Sequence, residues 1–303
     1  MAQYLDPKND LTFKRVFGEH KHLCISLINS MLPLEKPIVD IEYQSGELIP
    51  ELDILRNTIV DVRCTDSDGR QFLVEMQLFW YESFKKRVIL NASKAYVLQL
   101  DVAKKFSSIK PVFSLNFVNK NFEKSPEMKH EYYHHYKIVN IKNSEKRLDG
   151  LEFVFIELPK FKPQNRIEKK LHELWLRFLT EVDESTKELP QELLDNELTR
   201  EAVGYMERGA YTKEQITAYD KWKVDLMTAR GMLDDAEDIG LAKGLAKGKA
   251  EGKAEGKIEG KIEGKIEGKI EIALKAIEMR MTIEDVSNLT GLSIQQIDEL
   301  QKK

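Results

Sequence analysis

Two acidic residues stand where chemistry is easiest to imagine. Asp61 lies in the run TIVDVRC (58–64) and Glu75 in QFLVEMQLF (71–79), and the segment Asp66-Ser67-Asp68-Gly69 between them is a strong turn signal. β-Branched and aromatic runs on either side of such a turn predict a hairpin. A turn centred on Ser67, Asp68 and Gly69 sets Val60 opposite Met76, Val62 opposite Val74 and Cys64 opposite Phe72, an apolar face directed at a core. The other face then opposes Ile59 to Gln77 and Asp61 to Glu75, and the two-residue period of a strand puts Gln77 beside Glu75. Residues directly opposed in this way hold their Cβ atoms about 4.5–5.5 Å apart, where like charges repel. A divalent cation gives such a pair a reason to exist, because hard carboxylate oxygens completed by water suit Mg²⁺. The plainer expectation is a pair of exposed strand carboxylates neutralised by Arg56 or Arg63.

Several elements must position that hairpin. Asp10 followed by LTFKRVFGE reads as a capped helix with Phe13 and Phe17 on one face, and HLCISLINSML as a second helix ending before Pro33. Residues 83–105 read as a helix, and 111–118, 133–141 and 151–158 as strands. From about 165 to 232 the pattern is helical, with Leu171, Leu174, Trp175 and Phe178 spaced for one face. The expected organisation is a mixed α/β core over residues 1–160, a helical extension over 161–237, a repeat over 238–272 and a short helical hairpin over 273–303.

The ordered set D-P-K-N-D-L-T-F-K-R-V-F-G, I-V-D-V, V-E-M-Q and then a helix carrying Arg87 and Tyr96 resembles the PD-(D/E)xK nuclease superfamily. It is similar in particular to the branch of recombination-promoting nucleases and transposase-like proteins, over roughly residues 4–230. The resemblance implies an α/β restriction-endonuclease-like core, a mixed central sheet flanked by helices, followed by a helical extension and a helical or flexible glycine-repeat tail. It implies a DNA endonuclease that hydrolyses phosphodiester bonds with Mg²⁺ or another divalent cation, in recombination, mobile-element activity or defence. Asp61 and Glu75 match the metal-binding acidic pair, and Gln77 stands where the superfamily more often has lysine. A glutamine there orients water but supplies no positive charge. Asp10 matches an acidic position on the first helix, as part of the metal shell or as a plain cap. Arg87, Lys94 and Lys86, on the helix after the hairpin, are expected to approach DNA phosphates. The neutral Gln77 also motivates the competing expectation of a non-catalytic or weakly active DNA-binding or assembly protein that keeps the fold.

Composition narrows the classes further. The chain has 303 residues, 47 Lys+Arg against 51 Asp+Glu and 42 % apolar residues, enough to build a core and too many for wholesale disorder. Residues 81–120 hold eight basic side chains against two acidic ones, and residues 173–207 ten acidic against three basic. A local basic stretch in a mildly acidic chain suits a polyanion, because attraction follows local potential. Two cysteines, Cys24 and Cys64, exclude a disulfide framework and predict a reducing, cytoplasmic setting. The opening residues lack a signal-peptide layout, and no run is long and apolar enough to span a membrane. His130, His134 and His135 have metal-like spacing but fall at a strand entry, which makes a zinc site a poor expectation.

Eight glycines recur at every fourth position from Gly240 to Gly268. A helix built on K-I-E-G carries separate Gly, Lys, Ile and Glu stripes that drift about 40° per repeat. Each glycine costs roughly 1 kcal/mol against alanine, so the repeat is expected to be a flexible spacer or a helix ordered by self-association. Beyond it, Thr282 and Ser293 each head a short helix, and the four acidic residues with no Lys or Arg from Thr282 to Leu300 favour protein contacts over DNA reading.

Overall fold

The computed structural model describes residues 3–48, 58–100, 105–163 and 171–301. The chain divides into two units, Met1–Lys221 and Trp222–Lys303. The hairpin is the centre of the first. Strand β4 (Val62–Asp66) runs antiparallel to β5 (Gln71–Gln77), with Val62 opposite Val74 and Cys64 opposite Phe72 as the turn chemistry predicts. Outside β4 lies β1 (Ile41–Gln44), and a separate two-stranded ladder joins β2 (Glu47–Leu48) to β3 (Thr58–Ile59). On its other side β5 pairs in parallel with β6 (Val112–Val118). A parallel pair needs a crossover, which α3 (Ser83–Val97) contributes. Strands β7 (Tyr133–Asn140) and β8 (Asn143–Glu157) complete the six-stranded order β1-β4-β5-β6-β8-β7.

Parallel strands are typically covered on both faces, and β5 follows that rule. One face packs on α1 (Asp10–Phe13), the π-helical turn Lys14–Gly18, α2 (Lys21–Met31) and α4 (Leu171–Glu181). There the rings of Phe13 and Phe17 meet at a tilt, 4.9 Å apart, and Phe17 meets the edge of Trp175 at 5.4 Å. Burying each of these rings is worth about 1.5–3 kcal/mol. The other face packs on α3, where the small Ala92 and Ala95 sit against Leu73, Val112, Val60 and Leu48. Two further helices, α5 (Gln191–Asp195) and α6 (Glu197–Gly204), close the first core through Leu193, Ala202 and Val203.

Three local expectations change. The cap of α1 is Asn9, whose side chain accepts from the Leu11 N–H at 2.8 Å, and Asp10 is the first helical residue. Helix α3 ends at Val97 rather than continuing to 105. The run 58–64 is not one strand: it bends at Asp61, so Val60 joins the α3-side cluster while Met76 joins the opposite one. Val60 therefore does not face Met76.

Helix α7 (Lys213–Glu278) includes the whole glycine repeat. In the second unit α8 (Ile283–Thr290) and α9 (Ile294–Gln301) pack on its last turns around Ala273, Ala276, Val286, Leu292 and Ile297. The Thr282 side chain accepts from the Asp285 N–H, as a helix cap should. A Cβ added to any glycine from Gly240 to Gly268 would meet nothing within 4 Å. Among the described residues no helix is long and apolar enough to cross a membrane.

Candidate active site

The bend at Asp61 has a backbone cause. The Val60 N–H donates to the Gly46 carbonyl at 3.0 Å, and a Cβ on Gly46 would lie 2.5 Å from the Val60 carbonyl oxygen. Only glycine allows that approach, which draws Val60 toward the β2–β3 ladder and releases Asp61 from β4. The Asp61 carboxylate then accepts the Met76 N–H at 2.7 Å, standing in for a main-chain partner on a strand that no longer continues. Burial pushes the Asp61 carboxyl up to about 6, and the negative charges of Asp10 and Glu75 push the same way against the Met76 hydrogen bond and the Lys14 charge. Asp10, exposed on the first turn of α1, thus lies within electrostatic reach of Asp61.

Glu75 is almost wholly buried, 3 % exposed, beneath α3. Its Oε1 accepts from Asn91 Nδ2 at 2.8 Å and its Oε2 from Arg87 Nη2 at 3.2 Å. Burial raises its pKa above the usual glutamate value, and the Arg87 charge with the Asn91 and Arg87 hydrogen bonds offsets part of that rise. Arg87 Nη2 also donates to Gln77 Oε1 at 2.7 Å, and Nη1 to the Tyr81 hydroxyl at 2.9 Å. The Gln77 amide is held at its other end, Nε2 donating to the Phe79 carbonyl at 2.8 Å.

The fold therefore gathers Asp61, Glu75, Gln77, Arg87 and, at longer range, Asp10. Asp61 and Glu75 are not opposed in a ladder as the sequence predicts, since the β4–β5 pairing begins at Val62. Arg63 reaches Gln71 at 3.1 Å, and Arg56 lies outside the described residues. Arg87 faces inward to the carboxylate rather than standing free for a phosphate. Lys94 turns onto the β2–β3 ladder, with its ammonium 3.2 Å from Thr58 Oγ1 and 3.5 Å from the Leu48 carbonyl. Lys86 is exposed. His134 and His135 bond to Glu157 and Glu152 at 2.7 and 2.9 Å.

Asn91, which sequence reasoning passes over, is fully buried, and its Oδ1 finds no partner. The signal was present: an amide among apolar helix neighbours, one turn after Arg87, lies on the face that covers β5.

A mixed sheet whose central strand carries a buried acid, with a second acid at the broken end of its neighbour and an arginine from the crossover helix, is a nuclease-type α/β core. A family model for PD-(D/E)XK nuclease family transposases matches residues 7–230, and the chain belongs to that family. No curated protein and no solved structure matches it.

Among the described residues no group of three or more His, Cys, Asp or Glu is arranged to hold a metal ion. Mg²⁺ needs less: it binds commonly through one or two carboxylates, with waters and substrate phosphate completing six positions. Asp61 and Glu75 meet that requirement in chemistry, as hard oxygen donors each destabilised by burial in its charged form.

Proposed function

We propose that this protein is a divalent-cation-dependent DNA endonuclease, with Mg²⁺ as the working ion. The observation that carries the reading is the charge arrangement around Glu75: a buried carboxylate, a second one raised to about 6 beside it, and Arg87 bridging Glu75 to Gln77. Asp61 and Glu75 would hold the cation, which when bound supplies Lewis-acid stabilisation of the negative charge that grows on a phosphate under attack. Asp10 adds negative potential at the Asp61 side. Gln77 has no charge, but its carbonyl oxygen fixes Arg87 Nη2, so α3 delivers the cation that a strand lysine would otherwise bring. That guanidinium, already placed and half-desolvated, suits a phosphate oxygen through the second hydrogen of Nη1. Lys86, exposed one residue earlier, extends the positive face toward the DNA backbone. The second unit is read as a self-association element, through the glycine repeat and the α8–α9 hairpin.

The test is nicking of supercoiled plasmid. Cleavage is expected with Mg²⁺ and none with excess chelator, and Asp61→Ala or Glu75→Ala should each lower the rate by about a hundredfold or more. Equal activity in those variants would remove both residues from the site. DNA binding without cleavage under every divalent cation would instead favour a non-catalytic assembly role.

A further inference from the structure

Beside the carboxylates lies a groove of about 610 Å³, walled by Thr58 and Ile59 of β3, Tyr81 before α3, and Lys86, Arg87 and Leu90 of α3. Its inner wall is the arginine that holds Glu75 and Gln77. Its other surfaces are of mixed character. Ile59 is 61 % exposed, Leu90 46 % and Tyr81 41 %, and they share the groove with the charged ends of Lys86 and Arg87.

The two kinds of surface make opposite demands on a nucleic acid. Cations meet phosphate, and a duplex shows phosphates, sugars and base edges on its outside, while the flat faces of its bases are stacked within. Three exposed apolar side chains set against a continuous duplex find no open base face to cover. An unpaired nucleotide offers both halves, a phosphate and the apolar face of a base. Sequence-tolerant binders of single strands combine a positive groove with aromatic side chains on which bases stack.

We propose that this groove receives the unpaired nucleotide next to the scissile phosphate, its base lying against Tyr81, Leu90 and Ile59 and its phosphate toward Lys86 and Arg87. The preferred substrate is then single-stranded DNA, or a duplex interrupted by unpaired nucleotides, rather than continuous duplex. This rests on the DNA endonuclease reading and narrows it to a substrate class. Tyr81 also places Arg87 through its hydroxyl, so its ring and its hydroxyl have separable roles.

The experiment uses the full chain in excess chelator, where no cleavage occurs, and measures fluorescence anisotropy of labelled DNA of one sequence in three forms: single strand, perfect duplex, and duplex with one unpaired nucleotide. The single strand and the interrupted duplex are expected to bind about tenfold or more tighter than the perfect duplex, and Tyr81→Ser to erase that advantage, since base stacking on one aromatic is worth about a factor of ten or more. Tyr81→Phe, which keeps the ring and loses the hydroxyl, should retain the preference, and Leu90→Ser, which removes no hydrogen bond of Arg87 or Glu75, should reduce it. Equal affinity for all three forms overturns the groove assignment and leaves the endonuclease reading standing if plasmid is still cut. A Tyr81→Phe variant as impaired as Tyr81→Ser overturns it too, because the tyrosine would then act only through Arg87. Failure to bind or cut DNA in any form overturns both.

Discussion

Asp61 is a residue on which stability and chemistry pull apart. Its carboxyl titrates near 6 in the fold against an ordinary value of 3.8. Below 3.8 it is protonated in folded and unfolded chain alike, and its burial carries no charge penalty. That advantage is lost as pH rises through 6, and above it the fold carries a buried charge at a cost of about 3 kcal/mol, from two pKa units at 1.36 each. Asp61→Asn keeps an oxygen for the Met76 N–H and sheds the charge. In urea unfolding without divalent cations it should match the wild type at pH 4 and exceed it by up to about 3 kcal/mol at pH 8. Added Mg²⁺ should stabilise the wild type at pH 8 and leave Asp61→Asn unmoved, by mass action on a site only the former has. A wild type and variant that run in parallel across this range would remove the buried charge from the account. Asn91 makes the complementary case. Asn91→Ala leaves Glu75 Oε1 unpaired within the core, and should cost about 1–3 kcal/mol in unfolding free energy.

The element that sets Asp61 free is the short β2–β3 ladder, and its controlling position is Gly46. Gly46→Ala would drive a methyl group into the Val60 carbonyl, and backbone cannot yield as a side-chain tip can. The ladder must part there, so Asp61 should shift off Met76 and divalent-dependent cleavage should fall at least about tenfold, while far-UV circular dichroism stays that of the wild type, because β4, β5 and β6 pair without it. Full activity in Gly46→Ala would sink this account of the bend. The same element marks where the sequence is legible and where it is not. The β4–β5 register follows from turn residues and alternation, both local, and the structure repeats it from Val62 to Thr65. Helix α2 and strands β6 and β7 fall near their predicted places for the same reason, whereas β8 ends where expected but begins at Asn143, eight residues before the predicted start. TIVDVRC looks unbroken because every residue in it suits a strand, and the interruption comes from Gly46, fifteen residues earlier in sequence and adjacent only in space. Asn9 outcompetes Asp10 as cap because its amide oxygen reaches the Leu11 N–H. Glu75 and Gln77 share a face as the two-residue period requires, but that Arg87 should bind both depends on where α3 lands on the sheet, which no spacing encodes.

At the scale of the whole chain the two units pose different problems. Every residue of the candidate site belongs to Met1–Lys221, so a chain ending at Arg230 should keep its divalent-dependent cleavage. The repeat in α7 must find its stability elsewhere. Its eight glycines each cost roughly 1 kcal/mol in a helix, and Ile258, Ile262 and Ile266 stand 61, 53 and 46 % exposed. A second copy would cover that seam, and the charges select its direction. At 100° per residue the Ile stripe is flanked by Lys on one side and Glu on the other. Two parallel copies related by a two-fold axis set each Lys flank against a Glu flank, whereas antiparallel copies set like against like. A four-residue period exceeds 3.6, so the pair winds right-handed. Single cysteines replacing Ile258 or Ile266 should therefore each form a disulfide with their own copy under mild oxidation, the native Cys24 and Cys64 being buried. Antiparallel pairing would instead link the two variants only when mixed. A chain that stays monomeric by light scattering at every concentration reached would return the repeat to the role of a spacer.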